Sequence, residues 1–349
     1  MNGIDGVLLV ARQEFRTRLR TGRWKILLGA WFLVVGVFAV LMRLALDLTD
    51  TDDPGVPLFG TLLLFVLILT MLVAPALTAQ SINGDRERGT LATLQVTRLT
   101  PWEITLGKFA AGWATGLATL LLALPFILWP IVEGAVPPLR GLVSVVVLAL
   151  LIGIVCAIAQ ALSALVMRGI TSTLLSYLAV FAAMIGTVIA FFIAQPLVAT
   201  HVDRGDYIDS VDHSERVWWL LAPNPFVILA DATPRLPRVQ RCYDYAYPST
   251  TDGTGTSPPV RRCHLESPDT FDPLGEIGRS VRDARLGADE RDDRFAYDEE
   301  AGAPVQRSAG PVWPYGLGFG LLVAGGSLWI TARRLETPAR TLGKGVRIA

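Results

Sequence analysis

The sequence predicts an all-α polytopic membrane protein. It should have six transmembrane helices, an N-terminal interfacial amphipathic helix and a large extracytoplasmic loop between spans five and six. Three observations point there. The chain is 52% hydrophobic over 349 residues, with a mean hydropathy of +0.45, which is too apolar for a soluble chain of this size. The apolar residues also come in blocks: 57–84, 109–132, 141–167, 169–200 and 308–332 carry no charged residue, and 26–42 is uncharged up to Arg43. A helix needs about 20 apolar residues to cross a bilayer, so each block is a spanning candidate. A soluble helical core would keep a polar face along each helix, which these blocks lack. Finally, the basic residues are distributed very unevenly among the connecting segments.

Residues 4–21 read as an amphipathic helix within a cytosolic segment 1–23. Ile4, Leu8, Ala11, Phe15 and Leu19 fall on one stripe and Arg12, Arg16 and Arg20 on another. Such a helix lies in the membrane interface with its arginine stems near anionic headgroups. No cleavable signal peptide is expected, because the first apolar run follows a long basic segment and has no small-residue cleavage site. Spans one to five should occupy 24–198, at roughly 24–46, 57–81, 103–131, 141–167 and 171–198. The sixth should occupy 312–332, before a basic tail at 333–349. With the N-terminus inside, the cytosolic pieces hold 16 Lys and Arg, from Arg12 to Arg347, and the two short outer loops hold only Arg43 and Arg140. That asymmetry places both termini in the cytoplasm.

The 199–311 segment is then extracytoplasmic. Residues 203–300 hold 20 of the 31 carboxylates, so a solvated acidic region is expected there. Residues 217–232 are apolar but broken at Pro223-Asn224-Pro225, and each half is too short to span. They read as a re-entrant or interfacial turn, with Trp218 and Trp219 suited to the interface. Residues 235–311 read as a flexible polar insert, solvated coil over 248–311. Cys242 and Cys263 both lie in this segment, where an oxidising exterior favours a disulfide. Cys156 sits inside a span as a small core residue.

Between spans two and three lies a polar loop, 82–102, with the charge cluster Asp85, Arg86, Glu87 and Arg88. Thr100-Pro101-Trp102-Glu103 has the spacing of a capping box, with Thr as N-cap, Pro at the first helical position and Glu three residues after the cap. Gly89 permits a sharp bend. Thr90 can cap a short helix at 91–97, carrying Leu91 and Leu94. The outcome is a short helix tied to two spans, a geometry suited to transmitting a push.

The order of residues in this loop resembles that of the type-2 ATP-binding-cassette (ABC) exporter permeases. The matching residues are Glu87, Arg88, Gly89, Thr90, Leu91, Leu94, Thr97, Leu99, Pro101, Glu103, Ile104, Leu106, Gly107 and Lys108. Two further stretches are similar to that family, 162–177 (LSALVMRGITSTLLSY) and 220–232 (LLAPNPFVILADA). The resemblance implies a bacterial plasma-membrane exporter. Its permease works with a second permease copy, identical or related, and with separate ABC ATPase subunits. It also implies that Glu87, Arg88, Gly89, Thr90, Leu91 and Leu94 form the ATPase-coupling loop.

The chemistry of the remaining residues is consistent with a non-enzymatic chain. Ion-driven transporters usually keep Asp, Glu, Arg or His at membrane depth, whereas the polar residues here are mild: Gln80, Gln160, Ser163, Gln195 and several Thr. No G-x-x-x-x-G-K-[ST] phosphate loop occurs. No cofactor should bind this chain, and ATP and Mg should reside on the partner ATPase. His201, Asp203, Asp206, Asp209, Asp212 and His213 match no metal-ligand spacing and read as acidic linker. Membrane lipids are expected partners, nucleic acid is not. A reading of a different class is a membrane-anchored sensor or assembly protein that acts through its 199–311 ectodomain.

Overall fold

The computed structural model describes residues 3–19, 22–49, 51, 53–89, 99–203, 208–245, 260–266, 268–287, 297–298, 303–304 and 309–336. Six of its helices are long and apolar enough to cross a membrane: Trp24–Leu48, Gly55–Glu87, Pro101–Val132, Pro138–Leu165, Gly169–Val198 and Trp313–Leu335. They are spans one to six. An N-terminal helix, Gly3–Leu19, precedes them.

Spans two and four form the centre of the bundle. Their most apolar windows are each 61% buried, against 17% for span one and 6% for span five. Phe59, Leu63 and Met71 of span two pack with Leu148 and Ile152 of span four, and with Leu120 and Ile127 of span three. Indole N–H groups reinforce the packing. Trp31 of span one donates to the Thr119 carbonyl at 3.0 Å, and Trp113 of span three donates to the Ala149 carbonyl at 2.9 Å. A buried indole N–H left unpaired would be costly in apolar surroundings.

Span five is not one continuous α-helix. Gly169–Phe181 and Thr187–Val198 are joined by a π-turn, Ala182–Gly186. Asn224 serves this turn from outside the span. Its Nδ2 donates to the Met184 carbonyl and to Thr187 Oγ1, both at 2.8 Å. Its Oδ1 accepts from the Phe226 N–H, so Asn224 also caps the helix Pro225–Ala232. That helix follows two short 3-10 turns, Ser214–Arg216 and Trp218–Leu220. Val227, Ile228, Leu229 and Ala230 of this helix are all buried against the rest of the protein. Trp219 is exposed, whereas Trp218 stacks edge-on against Tyr315 of span six.

The expectation of solvated coil over 248–311 is corrected for the strand Val260–Glu266 and the helix Pro273–Leu286, while 248–259, 267, 288–296, 299–302 and 305–308 lie outside the described residues. Val239–Tyr245 pairs antiparallel with Val260–Glu266, and Pro273–Leu286 is a helix. Leu274, Val281 and Ala284 are buried on one side of that helix. Its first residues carry their own start signal: Asp272 accepts from the Gly275 N–H at 3.0 Å and Pro273 occupies the first turn. The all-α description therefore holds for the spans but not for 199–311. Two further hairpins occur there, Thr200–Asp203 with Ile208–Val211 and Tyr297–Asp298 with Ala303–Pro304. The strands alternate too weakly between apolar and polar to announce themselves.

One carboxylate ties this segment to the last span. Asp231, fully buried, accepts the backbone N–H groups of Val312 and Trp313 at 2.6 and 2.9 Å, at the start of span six. Its other oxygen accepts from Arg282 Nε at 2.5 Å and, more distantly, from Arg235. Burial, and then the charge of Arg282, lower the pKa of Arg235 from the ordinary arginine value. Cys242 is disulfide-bonded, and the strand register sets Cys263 directly opposite it.

Candidate functional site

The functional candidate is the junction at the end of the bundle that holds residues 81–89 and 99–108. Span two is α-helical to Thr78, turns, and resumes as a short helix, Asn83–Glu87. Hydrogen bonds from two other spans hold the turn in place. Ser163 Oγ of span four accepts the N–H groups of Ile82 and Asn83 at 3.2 and 3.1 Å. Ser172 Oγ of span five donates to the Ala79 carbonyl at 2.7 Å. Gln160 of span four donates to the Thr105 carbonyl of span three at 2.9 Å. Ile82, Ile104 and Ala164 form a small apolar cluster with Leu335, the last residue of span six, and Leu99 packs against it. Five of the six spans thus meet at one junction.

The chain leaves the short helix through Gly89, whose φ of 70° lies in the left-handed region. Residues with a Cβ rarely adopt that conformation, and β-branched ones least of all. The next nine residues, including Thr90, Leu91, Leu94 and the expected helix at 91–97, lie outside the described residues. The chain re-enters at Leu99. Thr100 is the N-cap of span three and makes both bonds of a capping box: its Oγ1 accepts the Glu103 N–H at 3.3 Å, and its own N–H donates to Glu103 Oε2 at 2.7 Å. Pro101 occupies the first turn.

The charges that bind the junction are Asp85, Lys108 and Glu14, a set the sequence reading did not single out. Lys108 Nζ donates to Glu14 Oε1 at 2.6 Å and also to Asp85 Oδ2. The Lys108 side chain is only 1% exposed, Asp85 10% and Glu14 29%. One buried cation therefore joins the N-terminal helix, the end of span two and the third turn of span three. Arg88, itself largely exposed, adds a 3.0 Å contact to the second oxygen of Asp85. Glu87 is exposed beside Gly169 at the start of span five. The expected coupling residues Glu87 and Arg88 thus lie on the outer surface of the junction, with the ion triad beneath them.

The N-terminal helix runs along span three in the same sequence sense: Gly6 lies by Glu103 and Val10 by Gly107, while Glu14 reaches Lys108. A Cβ at Gly107 would sit 2.6 Å from Val10 Cβ and 3.0 Å from the Val7 carbonyl oxygen, so only glycine permits this approach. Glu14 lies 94 residues from Lys108 in sequence, which is why local spacing gave no sign of the pair.

Three buried polar atoms at the same junction, Ser81 Oγ, Asn83 Nδ2 and Thr105 Oγ1, have no hydrogen-bond partner among the described residues. The described residues contain no group of three or more His, Cys, Asp or Glu placed to hold a metal ion. Beyond the far end of span five, His213 bonds Thr200 and Glu215. The junction is a polar knot where the N-terminal helix and five of the six spans converge.

Comparison with known proteins agrees with this architecture. No curated protein matches the chain. The family described as ABC-2 family transporter protein matches residues 30–227, from within span one through span five to the helix that begins at Pro225. That is more than half of the chain, and the chain therefore belongs to the ABC-2 transporter family, as a multi-pass ABC transporter permease.

Proposed function

We propose that this chain is the permease subunit of an ATP-driven exporter of the cell membrane, working with a separate ABC ATPase subunit that carries ATP and Mg. Two permease copies, identical or related, would enclose the export path. The observation that carries the proposal is the junction itself. An ATPase pressing on the 82–102 loop acts at a point where the N-terminal helix and five of the six spans are joined by short hydrogen bonds and a buried ion triad. Motion there reaches the bundle without being absorbed by a loose connector. The orphaned groups of Ser81, Asn83 and Thr105 support a moving part. Buried polar atoms are nearly always paired in native structures, and these three have no partner among the described residues, so a rearranged junction could pair them.

The basic-residue asymmetry supports a cytoplasmic junction and cytoplasmic termini. That is where a soluble ATPase could meet them. The test is co-expression with an ABC ATPase subunit and reconstitution in proteoliposomes. The expected result is that the two chains copurify in mild detergent and that the permease alters the ATP hydrolysis rate. If the chain purifies alone and leaves every tested ATPase unchanged, the proposal fails.

A further inference from the structure

The N-terminal helix and span three enclose an open groove of about 460 Å³, lined by Leu8, Ala11, Arg12 and Phe15 on one side and Ala110, Ala111 and Ala114 on the other. We propose that this groove binds an anionic phospholipid, with Arg12 and Arg16 holding the phosphate and the alanine face of span three taking an acyl chain. This deepens the expectation that the helix lies in the membrane interface, and rests on it.

Four features argue for this occupant. The first is depth. Span three has 32 residues, about 48 Å at 1.5 Å per residue, against a hydrocarbon core of about 30 Å. Its last charged residue before the long uncharged run is Lys108, and the run begins at Phe109. Ala110–Ala114 therefore sit where the span enters hydrocarbon, at the level of the headgroup boundary. The second is charge. Arg12 and Arg16 are exposed, four residues apart on one helix face. Neither pairs with a carboxylate among the described residues, because Glu14, between them in sequence, is turned to Lys108. Like charges at this spacing repel. A phosphate between two guanidiniums relieves that repulsion and accepts charge-assisted hydrogen bonds.

The third is shape. The alanines of span three leave a smooth trough, and Leu8 and Phe15 wall its other side, so a flexible chain fits and a bulky polar group does not. The fourth is exposure: Ile4 and Leu8 present 73% and 61% of their surface, which continues the apolar surface along the helix. A free phosphate would satisfy the arginines but leave the groove empty, so the lipid is the better fit.

The test is native mass spectrometry of the full chain in mild detergent, titrated with palmitoyl-oleoyl phosphatidylglycerol or with phosphatidylcholine of the same chains. The expected result is a tight adduct with phosphatidylglycerol that phosphatidylcholine does not match. Arg12→Gln with Arg16→Gln should weaken phosphatidylglycerol binding about tenfold or more, given the usual contribution of each basic residue at an anionic surface, and leave phosphatidylcholine unchanged. Ala114→Leu keeps both arginines but fills the trough, and should also lose the tight adduct. Millimolar inorganic phosphate should not displace the lipid. Equal binding of the two lipids would overturn the proposal, as would a preference that survives the double arginine variant. Full displacement by inorganic phosphate would reduce the site to a simple anion contact and also overturn it. A dimer that dissociates in Ala114→Leu, with no lipid preference in the parent, would assign the groove to a second copy of the chain instead. The measurement uses neither nucleotide nor ATPase, so its failure and the failure of ATP coupling are separate results.

Discussion

Lys108→Met is the most informative perturbation. Methionine keeps most of the apolar stem and removes the charge. Two carboxylates then face each other across a site where Lys108 was 1% exposed, with Asp85 at 10% and Glu14 at 29%. Removing one partner of a buried ion pair typically costs about 3–5 kcal/mol, because the remaining charge is left uncompensated. Arg88 still contacts Asp85 at 3.0 Å, and Glu14 can turn toward solvent, so the expected loss is near the lower end, about 3 kcal/mol. Glu14→Gln should cost only about 1 kcal/mol, since its partner keeps Asp85 and a neutral hydrogen bond remains. The triple variant Glu14→Gln, Asp85→Asn, Lys108→Met carries no charge at the site and should recover most of the loss. The assay is unfolding of the purified chain by SDS titration, followed by near-UV circular dichroism. The reasoning is refuted if Lys108→Met is no less stable than Glu14→Gln, or if the triple variant is no better than Lys108→Met alone.

Gly89→Val should strain the exit from the short helix by about 1–3 kcal/mol through its left-handed φ of 70°, with nothing among the described residues within 4 Å of a Cβ there, and Gly89→Asn should be milder. A Gly89→Val variant that expresses, reaches the membrane and still exports normally would show that the loop is only a connector. Asp231→Ala leaves the N–H groups of Val312 and Trp313 and the Arg282 charge without their acceptor. A loss of about 3–5 kcal/mol in the same unfolding assay is expected, and a neutral result would remove Asp231 from the load on span six. Cys242 and Cys263 should map as one disulfide-linked peptide pair, closing a loop of about 20 residues worth about 3 kcal/mol in the chain-entropy model; free thiols at both positions would end that assignment. With Cys242 and Cys263 removed, single cysteines near 90, 250 and 340 should label from outside only near 250, and external labelling near 90 would invert the topology.

How much of this was legible depended on distance along the chain. The spans were readable because uncharged blocks such as 141–167 leave a helix no alternative to apolar surroundings. The capping box was readable because Thr100, Pro101 and Glu103 lie within a single turn. Lys108 was visible only as part of a loop pattern, since its partners Asp85 and Glu14 come from elsewhere and carboxylates in a basic segment look solvated. Helix Pro273–Leu286 was missed for a different reason. Its Asp272 and Pro273, with Gly287 beyond its end, are helix start and stop signals, but in a polar neighbourhood the same residues also describe coil. Only the stripe through Leu274, Val281 and Ala284, set against the helix Pro225–Ala232, separates the two. The strand at 239–245 was hidden by Arg241 and Cys242, a polar residue and an apolar one each on the wrong side of the alternation a strand usually shows.

The π-turn in span five has a geometric result. Each residue advances an α-helix by about 100°, and a π-turn accommodates one extra residue. The helix above Gly186 is thus rotated by about that much relative to the helix below Ala182. A lipid or protein surface that follows the stripe through Leu174 and Leu178 cannot follow it past the turn, because the stripe has swung to another side. The phase of the upper half is fixed by Asn224, forty positions away, whose amide occupies the Met184 carbonyl. Asn224 thereby ties the helix Pro225–Ala232 to the side that span five presents above its turn.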